Sequence, residues 1–249
     1  RRNADNDTAL GMVQVILLVE DSVRFYSRYL PLLFVEIMKQ TQRLITEEKL
    51  DEMHKLLRMR ARPKVLLATS WDEAMALYQK YEKSMLAVIT DVQFPCGEAG
   101  GPEAGLDLAV FLKEQKPDLP VLVQSSELRH ETRAHELGAS FLYKHAERLA
   151  QGIRSFLMEQ LGFGNFVFRT ADGREIARAE DFPMFERLIH EVPKESLLYH
   201  ASRHHFSAWL MAHGEVLLAR ALRGAHVDDF DSAEHLRRHL ESVFDQVRW

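Results

Sequence analysis

The stretch Leu86-Ala-Val-Ile-Thr-Asp-Val-Gln-Phe-Pro95 combines a short apolar run with one carboxylate, Asp91, at the point where the run ends. Successive apolar or β-branched residues before a charge predict a strand that is buried on both faces, as in parallel sheets. Ligands of such sheets bind at the carboxyl ends of the strands. We therefore expect Asp91 to lie where an α/β protein carries out its chemistry.

Four other runs of the chain also predict buried strands, and most of them end in polar residues. The runs and the residues that follow them are 13–19 with Glu20 and Asp21, 63–69 with no ionisable residue, 119–124 with Ser125, and 140–143 with Lys144. Stretches with helical spacing separate the runs. The alternation predicts an α/β fold with a doubly wound, five-stranded parallel sheet that is covered by helices on both faces.

The first connection, from residue 23 to about residue 59, has helical spacing over most of its length. Pro31 should kink or interrupt the helix. The connection is about two dozen residues longer than a crossover helix requires, and we place a helical insertion at about 39–62. It is either an enlarged packing layer or a protruding dimerisation arm, and we expect a homodimer.

Composition sets limits on the class of protein. The 249 residues are 46% hydrophobic, enough for two domains, and the net charge of -5 makes nucleic-acid binding unlikely on electrostatic grounds. No apolar run is long enough for a membrane span, and residues 1–12 lack a signal peptide and predict a disordered lead. A single cysteine, Cys96, excludes an internal disulfide. We expect a soluble, cytoplasmic protein that is a piece of a longer chain.

The polar residues at the strand ends form a chemically coherent set. The carboxylates of Glu20, Asp21 and Asp91 repel one another unless a cation neutralises them, and hard oxygen ligands suit Mg²⁺. The ammonium of Lys144 and the hydroxyl of Ser125 suit the oxygens of a transferred phosphoryl group. Asp91 is then free to act as a nucleophile and to form an aspartyl phosphate.

These residues lie in four motifs: Leu-Val-Glu-Asp-Ser at 18–22, Thr-Asp-Val-Gln-Phe-Pro at 90–95, Gln-Ser-Ser at 124–126 and Tyr-Lys at 143–144. Together they resemble the receiver domain of two-component response regulators. The resemblance covers roughly residues 13–160, and we assign residues 13–161 to a receiver domain. It implies the strand order 2-1-3-4-5.

The resemblance also implies a function for each residue. Asp91 would be the phosphoacceptor for a sensor histidine kinase or a phosphotransfer protein, in a reaction that depends on Mg²⁺. Apart from slow self-dephosphorylation, no enzymatic activity is implied. The other implied roles are Mg²⁺ binding by Glu20, Asp21, Asp91 and the backbone carbonyl of Gln93, phosphoryl binding by Ser125 and Lys144, and conformational switching by Phe141.

The sequence departs from the receiver pattern in three places. The first connection is enlarged, and so is the glycine-rich loop 96–105 beside Asp91, which lacks the spacing of a nucleotide-binding loop. His145 follows Lys144, where receivers usually have proline. A cis peptide bond before a residue other than proline is costly, so the bond is either trans or strained.

Residues 162–249 predict a small, mainly helical connector or output domain. We expect a hairpin from 165–170 and 175–177, and a long helix from residue 193 to about residue 221. His200, His204 and His205 fall on that helix, where a zinc site is possible, but the polar face of an amphipathic helix is the stronger interpretation. The run 192–210 resembles a segment between a receiver and a pyruvate phosphate dikinase or phosphoenolpyruvate synthase-like portion, which implies a downstream partner domain.

Two alternatives to phosphorylation-dependent signalling remain open. The first is a transcription regulator whose C-terminal helices bind DNA through a basic strip consisting of Arg203, His204, His205, Arg220 and Arg223. The second is a metal-dependent phosphatase with Asp91 as its nucleophile. Many such enzymes carry a second acid two residues after the nucleophile, but this chain has Gln93 there.

Overall fold

The computed structural model describes residues 4, 8, 13–45, 62–97 and 102–247. The chain divides into two compact units, Arg1–Leu157 and Met158–Trp249. The predicted insertion at 39–62 lies largely outside the described residues, as does most of the predicted lead. Within that lead Ala4 and Thr8 are helical, Ala4 is buried in the core, and the hydroxyl of Thr8 donates to the carbonyl of Ala4 at 2.7 Å.

The first unit contains a parallel sheet in the order β2-β1-β3-β4-β5, which confirms the predicted fold class. All residues of β1, β3 and β4 are buried, which explains why these runs are almost continuously apolar. The strands are β1 Val15–Val19, β2 Lys64–Ala68, β3 Met85–Asp91, β4 Val121–Ser125 and β5 Ser140–Tyr143.

Helices connect these strands. They are α1 Val23–Ile45, α2 Trp71–Tyr81, α3 Ala104–Gln115, α4 His130–Glu136 and α5 Leu149–Gln160. Although Pro31 lies inside α1, one helix runs through it, so the predicted interruption does not occur. Exposed apolar side chains on α1 include Phe34 and Val35, and homodimerisation stays a prediction. None of the described helices combines the length and apolarity that a membrane crossing requires.

The second unit pairs an antiparallel hairpin with helices around an aromatic core. Phe166 and Phe168 of the hairpin contact Phe185, Phe206 and Trp209 of the helices. The elements are β6 Phe166–Arg169, β7 Glu175–Ala179, α6 Phe182–Glu191, α7 Lys194–Ala201, α8 His205–Ala212, α9 Val216–Arg223 and α10 Ala233–Val247.

The prediction of one long helix from 193 to 221 is wrong. Three helices, α7, α8 and α9, occupy this range. The first break contains His204 in the left-handed region at φ 54°, and the second contains Gly214 at φ 81°. The sequence does not reveal these breaks, because the amphipathic pattern resumes after each of them. Apolar spacing indicates which face of a helix is buried and not whether the backbone is continuous.

Candidate functional site

The acidic residues of the first unit meet at one edge of the sheet. Because β1 pairs in parallel with β3, the residues that follow β1 and the last residue of β3 lie side by side. Carboxylate oxygens of Glu20, Asp21 and Asp91 lie within 4.8 Å of one another. Glu20 is fully buried, Asp91 is 7% exposed and Asp21 is exposed. We call this group the acidic pocket.

Lys144 bridges two carboxylates of the acidic pocket. Its Nζ atom lies 2.6 Å from Oδ2 of Asp91 and 2.7 Å from Oε2 of Glu20. Its backbone N–H donates to the carbonyl of Ser125 at 2.8 Å, which fixes the end of β5 to the end of β4. The described residues include no cis peptide bond, so the bond before His145 is trans. Lysine therefore reaches the pocket without the proline that receivers usually have.

The pocket holds more negative charge than its single ammonium compensates. Burial, reinforced by the nearby Asp91 carboxylate, raises the pKa of Glu20 to about 7, although Lys144 opposes the rise. Burial also raises the pKa of Asp91, against the opposing effects of Lys144 and of the backbone N–H groups of Val92 and Gln93. The carboxylates are therefore poised to gain from an additional positive charge.

The donor set fits a hard divalent cation. Three carboxylates, two of them buried, offer oxygen ligands at one point, and oxygen ligands of this kind suit Mg²⁺. Within the described ranges, no other group of three His, Cys, Asp or Glu residues is close enough to hold a metal ion. Gln93 gives its backbone N–H to Asp91, and coordination by its carbonyl stays a prediction.

Ser125 and Phe141 lie on the adjacent strands. Ser125 is the last residue of β4, and its hydroxyl is 2.8 Å from Nδ1 of His130 and accepts from the N–H of Glu127 at 3.0 Å. Phe141 lies on β5, opposite Val123, and packs partly buried against the core of the first unit. Phosphoryl binding by Ser125 and switching by Phe141 stay predictions.

The structure adds residues to the site that the sequence patterns did not reveal. Lys144 Nζ lies over the ring of Phe25, 4.2 Å from its centroid. Gly105 packs so closely on β3 that a Cβ atom there would lie 1.7 Å from the carbonyl oxygen of Asp91. In the sequence, Phe25 is explained by helical spacing and Gly105 by a glycine-rich loop. Neither pattern indicates that the residue contacts the end of a strand elsewhere in the chain.

His200, His204 and His205 are not part of any group that could hold a metal ion among the residues that the structure describes. Nε2 of His200 accepts from the N–H of Arg169 at 2.9 Å, so in the neutral ring Nδ1 carries the proton and lies 3.0 Å from Nδ1 of His205. Neither nitrogen of His200 then has a lone pair free for a metal. Burial and nearby positive charge lower the pKa of His200 to about 3, which keeps it neutral. His204 instead makes an edge contact with the ring of His226.

No family model and no curated protein sequence matches the chain. Solved structures do. A response regulator receiver domain protein from Clostridium thermocellum is 19% identical with a TM-score of 0.43, covering 60% of this chain and 95% of that one. A putative response regulator from Chloroflexus aurantiacus is 19% identical with a TM-score of 0.41, covering 60% and 98%. The receiver domain of the histidine kinase CKI1 from Arabidopsis thaliana is 20% identical with a TM-score of 0.31, covering 61% and 95%. The fold assignment rests on the strand order, and the site on the distances above.

Proposed function

We propose that the first unit is a phosphorylatable receiver and that Asp91 accepts the phosphoryl group. One observation supports this most directly: Lys144 lies within 2.7 Å of both Asp91 and Glu20, in a pocket that Asp21 completes. The buried carboxylate of Asp91 lies beside a fixed ammonium and two further acids, Glu20 and Asp21. Such a site is suited to receiving a phosphoryl group, whose oxygens are negatively charged. A purely structural role of these buried charges is a weaker explanation, because buried ion pairs seldom add stability.

In the proposed reaction an oxygen of the Asp91 carboxylate attacks phosphorus in a phosphohistidine of a sensor kinase or phosphotransfer protein. The new O–P bond forms as the P–N bond breaks, and the imidazole leaves with the electron pair. The N–H of Val92 holds Oδ1 of Asp91 at 2.7 Å, while Lys144 holds Oδ2. The carboxylate is therefore fixed in orientation before the donor arrives.

Glu20, Asp21 and Asp91 are the residues that would hold Mg²⁺, which when bound supplies positive charge for the phosphoryl oxygens. Lys144 remains beside Asp91 and would pair with one of these oxygens. Phosphorylation then biases two conformations of the unit, with the second unit as output. In this proposal the chain is a signalling protein and not an enzyme with a substrate of its own.

The proposal is tested by incubating the full chain with acetyl phosphate and measuring its intact mass. We expect addition of one phosphoryl group in the presence of Mg²⁺, and no addition with EDTA or in Asp91→Asn. Asp107→Asn is the matched control, because Asp107 is an exposed acid of α3 outside the pocket. Modification that survives Asp91→Asn, or that does not require a divalent cation, would overturn the proposal.

DNA binding by the second unit stays a prediction, and, besides His204, two members of its basic strip have contacts within the protein. The guanidinium of Arg203 lies over the ring of Tyr199, 4.4 Å from the centroid, and His205 contacts His200. Both side chains are thus engaged within the protein. The likeness of 192–210 to a dikinase connector, and with it a downstream partner domain, also stays a prediction.

A further inference from the structure

A buried histidine outside the acidic pocket contacts the hydroxyl of Ser125. His130 is the first residue of α4, its side chain is 4% exposed, and its Nδ1 lies 2.8 Å from the Ser125 hydroxyl. Its other ring nitrogen, Nε2, lies 3.3 Å from Oε1 of Glu103 and has no hydrogen bond from the described part of the chain. Glu103, His130 and Ser125 therefore form a row that ends beside the pocket.

The carboxylate of Glu103, 3.3 Å from Nε2, favours the tautomer of His130 with its proton on that nitrogen. An ionised carboxylate can only accept, so a neutral His130 is most stable with its proton on Nε2, where the carboxylate faces it. Nδ1 then holds the lone pair and can only accept. In this tautomer the Ser125 hydroxyl donates its proton to His130, while its oxygen accepts from the N–H of Glu127 at 3.0 Å.

This arrangement conflicts with phosphoryl binding by the same hydroxyl. A phosphoryl group offers only acceptors, so Ser125 has to donate to it. Ser125 has one hydroxyl proton, and with the His130 proton on Nε2 that hydroxyl proton is directed at His130. Donation to the phosphoryl group therefore requires the side chain to leave His130 and to lose a buried hydrogen bond.

We propose that His130, oriented by Glu103, is a positioning residue that holds the Ser125 hydroxyl in a resting state and so opposes occupation of the acidic pocket by a phosphoryl group. This inference rests on the proposed function of Asp91. The contact between His130 and Ser125 would then determine how readily the phosphorylated state forms, without any change in the acidic pocket itself.

The experiment measures the affinity of the full chain for beryllofluoride in excess Mg²⁺ by titration calorimetry. A buried hydrogen bond contributes about 0.5–1.5 kcal/mol, so His130→Leu should bind beryllofluoride about two- to tenfold more tightly than the wild type. Ser125→Ala, which removes the donor, should bind more weakly. Adding His130→Leu to Ser125→Ala should change nothing, because the histidine acts only through the hydroxyl.

Two conservative variants separate positioning from packing. His130→Asn keeps an acceptor near the place of Nδ1 and should return the affinity toward that of the wild type. His135→Leu removes an exposed histidine from the same helix and should leave the affinity unchanged. Glu103→Ala leaves the core intact and, by freeing both tautomers of His130, should tighten binding by a smaller factor than His130→Leu.

Nitrogen-15 NMR of the unligated chain gives a test that does not depend on binding, and it decides the matter if His130→Leu does not fold. We expect the neutral ring of His130 to carry its proton on Nε2; a neutral ring with its proton on Nδ1 overturns the inference. Unchanged affinity in His130→Leu, or a gain that persists in the Ser125→Ala background, also overturns it. Failure of the wild type to bind beryllofluoride, or binding that survives Asp91→Asn, is a different result and overturns the proposed function together with this inference.

Discussion

The two units bury ionisable side chains in opposite ways. The first unit buries Glu20, Asp91 and Lys144 as a cluster of carboxylates around one ammonium. The second buries His200, which is kept neutral, and Arg237, whose guanidinium donates to the carbonyls of Ile189 and Val192. Both units have an apolar core, so the difference between them lies in how their buried ionisable side chains are paired.

The comparison separates a binding site from a structural network. In the second unit, Arg237 satisfies carbonyls near the end of α6, and His200 accepts from the hairpin backbone, so both groups complete the fold. In the first unit, the pKa of Glu20 is raised to about 7 by burial and by repulsion from the Asp91 carboxylate, and Lys144 offsets only part of these effects. An unrelieved electrostatic cost at a buried site is a sign of function.

The largest expected effect is that of Lys144→Met. Removing the ammonium leaves the carboxylates of Glu20 and Asp91 adjacent and buried without their counter-charge, which costs about 3–5 kcal/mol of the free energy of unfolding. Arg237→Met in the second unit leaves carbonyl acceptors unpaired but no net buried charge, and we expect a smaller loss of about 1–3 kcal/mol. Urea unfolding, combined with hydrogen exchange in each unit, measures both losses.

Added Mg²⁺ sharpens this comparison. A cation in the acidic pocket should restore part of the stability lost in Lys144→Met, whereas Arg237→Met should not respond to it. Equal losses in the two variants, together with equal indifference to Mg²⁺, would mean that the acidic pocket is only another structural network.

The next effect is that of Gly105→Ala. A methyl group 1.7 Å from the carbonyl oxygen of Asp91 cannot be accommodated without moving β3 or α3, and overpacking of this kind costs about 3 kcal/mol. Gly224→Ala in the second unit is the matched control, because a Cβ atom there meets nothing within 4 Å and φ is -80°. Thermal unfolding of the two variants checks the difference, and equal stability would show that the close contact of Gly105 is not a constraint.

The smallest effect concerns the pH dependence of the second unit. The pKa of His200 is lowered from 6.5 to about 3, so the unfolded chain binds a proton that the folded chain excludes. Stability is therefore lost as the pH falls below 6.5, and from pH 7 to pH 5 the loss from this residue is about 2 kcal/mol.

His200→Gln should remove this loss, because glutamine has no titrating group and its amide oxygen can still accept from the N–H of Arg169. The free energy of unfolding at the two pH values, in the wild type and the variant, tests the expectation. An identical pH dependence in both proteins would mean that His200 is not buried as a neutral ring.

Most of the first unit followed from local pattern. The apolar runs that end at Glu20, Asp91 and Ser125 are strands whose residues are all buried. The run before Lys144 is also a strand, but it is only partly buried. The prediction that failed in the second unit has a local cause. The single helix predicted from 193 to 221 is three, because spacing reports the buried face and not the backbone angles at His204 and Gly214. Gly214 was a usable stop signal.

The amino-acid sequence by itself determined the alternation of buried strands and helices and the placement of acids and a lysine at strand ends, because burial and periodicity are properties of neighbouring residues. Tertiary structure alone decided that Lys144 bridges Glu20 and Asp91, that Gly105 touches the backbone of Asp91, and that Nδ1 of His130 contacts the hydroxyl of Ser125. The distances in these contacts depend on how the helices and loops pack against the sheet, even where, as for Ser125 and His130, the residues are close in the chain. Local spacing carries no record of that packing.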